Sequence, residues 1–242
     1  TKSNPTNTNI VNKTVNPFAP PGHVLVFLAE QRECDQVAQN ISTALTNIDK
    51  YPYCILRTEL ADDCNDLDEF YTALSNEVEQ LRISHANGIN PVVIPILPVT
   101  LTGQAGLLQK DLAREPFNTT KYPHLAQVYK LICATNSVES SVTIEGLTAM
   151  IDSGIHKEVI FDVEKGVSVL STAPIPNTSR IQRKCRVGRV SPGQVFQILI
   201  KQANGQDMKS HATAEILSTD PGQKFLELRK SGICLEKINN QL

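Results

Sequence analysis

Val128-Tyr129-Lys130-Leu131-Ile132-Cys133-Ala134 is a short, largely apolar run. It passes without a break into Thr135-Asn136-Ser137-Val138-Glu139-Ser140-Ser141-Val142-Thr143-Ile144-Glu145-Gly146. An apolar run of this length, bounded by polar residues, reads as a strand covered on both faces, the kind found in parallel sheets. The polar stretch then leaves the carboxyl end of that strand, which is where open α/β sheets place ligands. Hydroxyls and amides there can hold phosphate oxygens or a water, although polar loops after strands are also ordinary.

Working outward, the same pattern recurs. His23-Val24-Leu25-Val26-Phe27-Leu28 is a second buried run. It is followed by Cys34, Val37, Ala38, Ile41, Leu45 and Ile48 at the 3.6-residue period of a helix laid on a sheet. Val92-Val93-Ile94-Pro95-Ile96-Leu97 reads as a strand whose prolines suggest a sheet edge or a strand end. Residues 107–114 read as helix, and Ala149-Met150-Ile151-Asp152 as a short strand. Glu158–Asp162 and Val167–Ser171 flank Glu164-Lys165-Gly166, which predicts a hairpin. Residues 178–187 read as a basic helix and Gln194 to Ile200 as a final strand. Strands alternating with helices predict an α/β domain with a mostly parallel sheet flanked by helices.

Both ends differ from this middle. Residues 1–21 are rich in Asn, Thr and Pro and read as a disordered tail or interdomain linker. Thr219-Asp220-Pro221 would cap a helix running to Lys230, with Gly232 as its stop. Residues 206–242 therefore read as the start of a second, helical domain that has been cut short. A first residue of Thr1 rather than Met fits a processed product or a piece of something longer.

With 242 residues and 40% of them hydrophobic, the chain can build a real core, which excludes wholesale disorder. Lys and Arg number 23 against 25 acids, which excludes a uniformly basic coat but not local segregation of charge. No apolar stretch approaches the roughly 18 residues a spanning helix needs, so no membrane is expected as a partner. None of the six cysteines forms a C-x-x-C pair or sits near a His at zinc-finger spacing, so no metal site is expected. Cys34 and Cys133 read as small core hydrophobes and the thiols as reduced and intracellular. That compartment is cytoplasm or nucleus, or a virion if the source is viral.

Charge is segregated twice. Residues 59–79 hold Glu59, Asp62, Asp63, Asp66, Asp68, Glu69, Glu77 and Glu79 and no base. This reads either as a solvated face or as an acidic lip that repels nucleic acid or docks a basic protein partner. From Lys165 to Gln206 there is no acid, and Arg180, Arg183, Lys184, Arg186 and Arg189 crowd into ten positions. Arg183, Arg186 and, more loosely, Arg189 can share one side of a helix and its exit. Such a cluster either surrounds an anion, for which phosphate matches guanidinium forks, or pairs with acids elsewhere, such as those of 59–79.

Order and spacing separate these readings. The series resembles the second RecA-like domain of the DEAH/RHA class of superfamily 2 helicases. Phe27-Leu28-Ala29-Glu30-Gln31-Arg32-Glu33 is similar to helicase motif IV, whose family form is close to F-L-x-G-Q-E-E. Residues 134–144 are similar to motif V, A-T-N-x-A-E-T-S-x-T-I. Gln182-Arg183-Lys184-Cys185-Arg186-Val187-Gly188-Arg189 is similar to motif VI, Q-R-x-G-R-x-G-R. The family's hairpin falls between motifs V and VI, as 157–172 does here. Glu215-Ile216 and Leu226 to Ile233 resemble the start of the family's winged-helix domain, and the wording of 186–193 leans towards viral members, including those of poxviruses. The resemblance covers roughly 22–48 and 91–235. It implies a RecA-like domain over 22–205, with 49–90 read as an insertion, and the start of a winged-helix domain over 206–242.

The resemblance also implies roles. ATP would sit between two RecA-like domains, and the second would supply Arg186 and Arg189 to the triphosphate as arginine fingers. Gln182 would approach the γ-phosphate or the attacking water, and Ser141 and Thr143 would help couple the nucleotide to the cleft. Thr135 and Asn136 would bind the backbone of single-stranded or duplex RNA, without base readout. The hairpin, with Lys157 and Lys165, would stand beside the strand as a separating or guiding element. ATP and Mg2+ would be held mainly by a first RecA-like domain, because this sequence has no Gly-Lys-Ser/Thr loop and no D-E-x-H box. The sequence alone is thus expected to be inactive, as half of a 3′-to-5′ motor.

Two departures stand out. Cys185 occupies the family's Gly position, which strains the turn if positive φ is required there and is harmless if the position is ordinary helix. Thr100-Leu101-Thr102-Gly103-Gln104 matches the family's strand-contacting loop poorly, so no RNA contact is assigned there. Besides the motor, two other readings stay open: an inactive helicase-derived interaction module, and an autonomous single-strand-binding domain using 180–189.

Overall fold

The computed structural model describes residues 22–46, 53–57, 64–86, 94–139, 142–162, 164–189, 192–198, 209–212 and 221–232. The tail at 1–21 and the cap at Thr219-Asp220 lie outside them, as does Ser141. Six strands form one sheet: β1 (His23–Phe27), β2 (Tyr53–Ile55), β3 (Ile94–Leu101), β4 (Tyr129–Ala134), β5 (Leu147–Asp152) and β8 (Gln194–Gln197). Their order is β2-β3-β4-β1-β5-β8, and every neighbouring pair is parallel. Between β5 and β8 the chain makes a separate antiparallel hairpin, β6 (Ile155–Asp162) with β7 (Val167–Pro174).

Alternation of side chains splits the apolar runs between two cores. Leu25, Phe27, Ile132, Ala134, Leu97 and Val99 enter the larger one. There they meet Phe70, Leu74 and Val78 of α2 (Leu67–Ala86) and Leu112 of α3 (Leu107–Arg114). On the other face Val26, Leu131 and Cys133 meet Cys34 of α1 (Gln31–Thr46), with Val37 and Ile41 packed alongside. Burial pushes the thiols of Cys34 and Cys133 up to about 12, which fits their role as core hydrophobes.

One expectation needs correction. The prolines of β3 do not put it at an edge, because β3 lies between β2 and β4. Ile96 turns its carbonyl to β2, where it accepts the Leu56 N–H at 2.9 Å, so alternate residues face alternate neighbours. Pro98 then faces the β2 side beyond the last paired residue, Ile55, and Pro95 faces β4 ahead of its first, Tyr129. Neither nitrogen is asked for a ladder bond. Within 49–90, β2 is the edge strand of the sheet and α2 packs into the larger core. The described acids of 59–79 are engaged within the chain. Asp68 pairs with Lys121, Glu77 with Arg57 and Glu79 with His124, while Asp66 accepts the Glu69 N–H and Glu69 accepts the Asn65 N–H ahead of α2.

Each strand of the hairpin is three residues longer at its outer end than predicted, and the ends at the turn match. Gly166, at φ 65, closes its turn by donating to Asp162 O at 2.8 Å. Helix α4 (Asn177–Lys184) stops three residues earlier than expected, since Cys185 leaves it at φ −70, ψ 1. Helix α5 (Pro221–Lys230) ends as predicted at Gly232, φ 84, and keeps Phe225 and Leu226 exposed. No described helix is long and apolar enough to cross a membrane.

Candidate functional site

The carboxyl ends of β1, β4 and β5 lie side by side, and a side chain of α4 reaches them. Phe27 ends β1, Asp152 ends β5, and Glu139 follows a one-turn 3-10 helix (Asn136–Val138) that leaves β4. Arg183 of α4 drops into their midst with no exposed surface. Its Nε donates to Glu139 Oε2 at 3.1 Å and its Nη1 to Asp152 Oδ1 at 2.8 Å. Its guanidinium carbon lies 4.6 Å from the centre of the Phe27 ring. Asp152 Oδ1 also accepts the Gly154 N–H at 3.0 Å, in the turn that begins the hairpin. A buried charge is tolerable only when paired in this way. Arg183 therefore does not belong to an open anion-binding row, and its acids are not those of 59–79. It ties Glu139, the end of β5 and α4 into one unit.

The next arginine lies three residues on. Arg186 donates Nη1 to Val142 O at 2.6 Å and Nη2 to Glu139 O, so it is held by main-chain oxygens of those two residues. Its Nε is buried without a partner among the described residues. Burial, and then the neighbouring charge of Arg189, lower its pKa from the ordinary arginine range. Arg189 follows after Gly188, whose φ of 86 turns the chain. It is exposed, donating Nε to Cys185 O at 3.0 Å and Nη1 to Thr143 Oγ1 at 3.3 Å.

Of the residues singled out from sequence, Thr143, Arg186 and Arg189 come together on this loop and helix exit. Thr135 is buried, with its hydroxyl 2.9 Å from that of Ser137, while Asn136 is exposed. Gln182 is exposed on α4, next to the buried Arg183. Lys157 and Lys165 lie apart, on the hairpin, and each already has an acid: Lys157 pairs with Glu30 at 3.2 Å and Lys165 with Asp162 at 2.9 Å. Cys185 needs no glycine, because its φ is negative and its N–H continues the helix to Ile181 O at 3.0 Å. The residues that sequence reading missed are Glu139 and Asp152. The only local signal for Asp152 was an acid ending an apolar strand, and nothing local marked its partner.

No family model matches the chain. It is 27% identical over 219 residues to a Schizosaccharomyces pombe protein named as a pre-mRNA-splicing factor ATP-dependent RNA helicase, covering 90% of this chain and 26% of that protein. Among solved structures it is similar to the crystal structure of the Escherichia coli DExH-box NTPase HrpB. The TM-score is 0.50 and the identity 22%, over 88% of this chain and 24% of that one. The chain thus spans about a quarter of the length of each. The likeness to HrpB extends to the fold, and the predicted RecA-like arrangement of a parallel sheet flanked by helices is the one observed.

Proposed function

We propose that this chain is the second RecA-like part of an ATP-dependent RNA helicase of the DEAH type, the half that completes a nucleotide site held mainly by a first RecA-like domain. The observation that carries the reading is the meeting of Glu139, Val142 and Thr143 with the exit of α4, near the carboxyl ends of β1, β4 and β5. It sets Arg186 and Arg189 beside a polar loop at the ligand end of the sheet. The likeness to the splicing helicase, over nine-tenths of the chain, supports the same assignment.

In this reading Arg189, exposed and lightly bound, meets the triphosphate first. Arg186 follows once it exchanges carbonyl oxygens for phosphate oxygens, which a guanidinium prefers because they are anionic. Together they offset charge developing on the transferred phosphoryl group, an effect worth about 10³–10⁵ in rate for arginine fingers elsewhere. Gln182 attends the γ-phosphate or the water, and Ser141 and Thr143 join the nucleotide to the cleft. Asn136 and Thr135 take the RNA backbone. The hairpin borders the strand, and Lys157 and Lys165 reach RNA only by leaving Glu30 and Asp162. Mg2+ accompanies ATP on the first domain, which supplies the phosphate-cradling loop this sequence lacks.

The test is RNA-stimulated ATPase in a polypeptide that carries both domains. Arg186→Ala and Arg189→Ala each collapse turnover while leaving RNA affinity nearly intact. Unchanged turnover in both variants refutes the assignment. RNA affinity itself falls with salt, at about 0.7 in log K per phosphate neutralised, and a flat salt response refutes the backbone-tracking role.

A further inference from the structure

The hairpin leaves the sheet through one short root. Gly154, at φ 75, lies between β5 and β6, and its carbonyl accepts the Ile175 N–H at 3.0 Å, so both strands close on the same residue. Further out Val159, Ile160, Val167, Val169 and Leu170 are exposed and stand outside both cores. Lys157 of β6 reaches Glu30, but a pair this open to water holds an element only weakly. The root itself is held by Asp152. Its Oδ1 accepts the Gly154 N–H at 3.0 Å and Arg183 Nη1 at 2.8 Å, and its main-chain oxygen accepts the Ile198 N–H at 2.8 Å. Arg183 belongs to α4, which begins at Asn177, soon after β7 ends at Pro174. One carboxylate oxygen thus joins the start of the hairpin to the helix that follows its end.

We propose that Asp152 is a positioning residue: it fixes the angle of the hairpin to the helix from which Arg186 and Arg189 emerge, so that closure of the domain on a nucleotide carries the hairpin along the RNA. The proposal deepens the reading above and rests on it for the nucleotide and the RNA, while the fixing of the root stands on the contacts alone. Asp152 and Arg183 have no exposed surface, so water does not stand in for a bond that is lost. The two charges share a single bond rather than a fork, because Arg183 Nη2 and Asp152 Oδ2 are buried without partners among the described residues. Oδ1 therefore carries both contacts, and its two jobs can be separated. When Asp152 is cut back, Arg183 keeps Glu139 and the Phe27 ring, so α4 stays placed. The Gly154 N–H has no second acceptor among the described residues, so the hairpin root comes loose.

The experiment compares Asp152→Ala with Asp152→Asn in a polypeptide that carries both domains, reading RNA-stimulated ATP turnover and the duplex RNA opened per ATP. In Asp152→Ala turnover stays within about threefold of wild type, while opening per ATP falls about tenfold, the size expected for one buried hydrogen bond. Asp152→Asn lacks the charge but keeps an oxygen for the Gly154 N–H, and it restores opening to within about threefold of wild type. A role confined to the charge of Arg183 makes Asn as damaging as Ala. The second readout is amide hydrogen exchange in the 242-residue chain. Exchange at Gly154 and Ile175 rises about tenfold or more in Asp152→Ala and stays near wild type in Asp152→Asn, whereas Ile132 in β4 is unaffected in both. If Asp152→Ala does not fold, Asp152→Leu, similar in shape and without an acceptor, takes its place. Turnover and opening that fall together, an Asn variant as impaired as Ala, or unchanged protection at Ile175 each overturn the proposal. A wild type without RNA-stimulated turnover overturns the helicase reading and the coupling with it, and the exchange result then decides the clamp at the root by itself.

Discussion

Lys130, the second residue of β4, has 1% of its surface exposed, and replacing it with Met isolates what a buried ammonium does to this fold. Its Nζ donates to Leu112 O at 2.7 Å and Glu115 O at 2.5 Å, at the C-terminal end of α3, and lies 4.2 Å from the centre of the Phe117 ring. Burial lowers its pKa from 10.5 to about 7, partly opposed by Glu115. The unfolded chain therefore binds more protons than the folded one between about pH 7 and the ordinary lysine pKa. Stability contributed by this group is complete above that upper value and is lost as pH falls towards 7. Each pH unit inside the window changes stability by up to about 1.4 kcal/mol, so from pH 7 to pH 9 this group contributes a gain of about 2 kcal/mol. His23, lowered to about 4 by burial and then by Lys130, acts below its ordinary value of 6.5. The thiols of Cys34, Cys54 and Cys133, raised by burial, oppose the gain as pH approaches 9, but do so equally in wild type and variant. Urea unfolding of wild type and Lys130→Met at pH 7 and pH 9, at constant ionic strength, measures the difference directly. Met keeps the length and the contact with Phe117 and removes the titration, so its stability changes by about 2 kcal/mol less than that of the wild type across the interval. Equal pH dependence in the two proteins refutes the reasoning.

Arg183→Met leaves Glu139 and Asp152 buried without a counter-charge and destabilises by about 3–5 kcal/mol; a loss below 1 kcal/mol in chemical denaturation refutes the buried ion cluster. Gly154→Ala is markedly more destabilising than Gly188→Ala. Both have positive φ, but a Cβ at Gly154 meets Ile198 O at 2.5 Å, whereas one at Gly188 meets nothing within 4 Å. Equal melting temperatures for the two variants contradict this. Cys185→Gly alters stability by less than about 1 kcal/mol, because the position has an ordinary negative φ and glycine adds only backbone entropy. A larger gain in thermal unfolding shows that the Cys side chain is strained.

Much of this protein could be read along the chain. The strands at 23–27 and 129–134, the helix at 107–114, the hairpin around Gly166 and the stop at Gly232 follow from side-chain direction and turn chemistry, which act within a few residues. The clustering of Arg186 and Arg189 near a polar loop was likewise foreseeable from motif order. Tertiary structure decided the rest. It made β3 an interior strand despite two prolines, because the short β2 and the later start of β4 left their nitrogens unopposed. It made Leu56 and α2 part of the core, and it turned Arg183 inward while Arg189 stayed out. Which acid a given arginine meets depends on distance in space, and Glu139 and Asp152 lie 44 and 31 residues from Arg183 along the chain. No local pattern encodes that separation; only the closing of the sheet brings the three together.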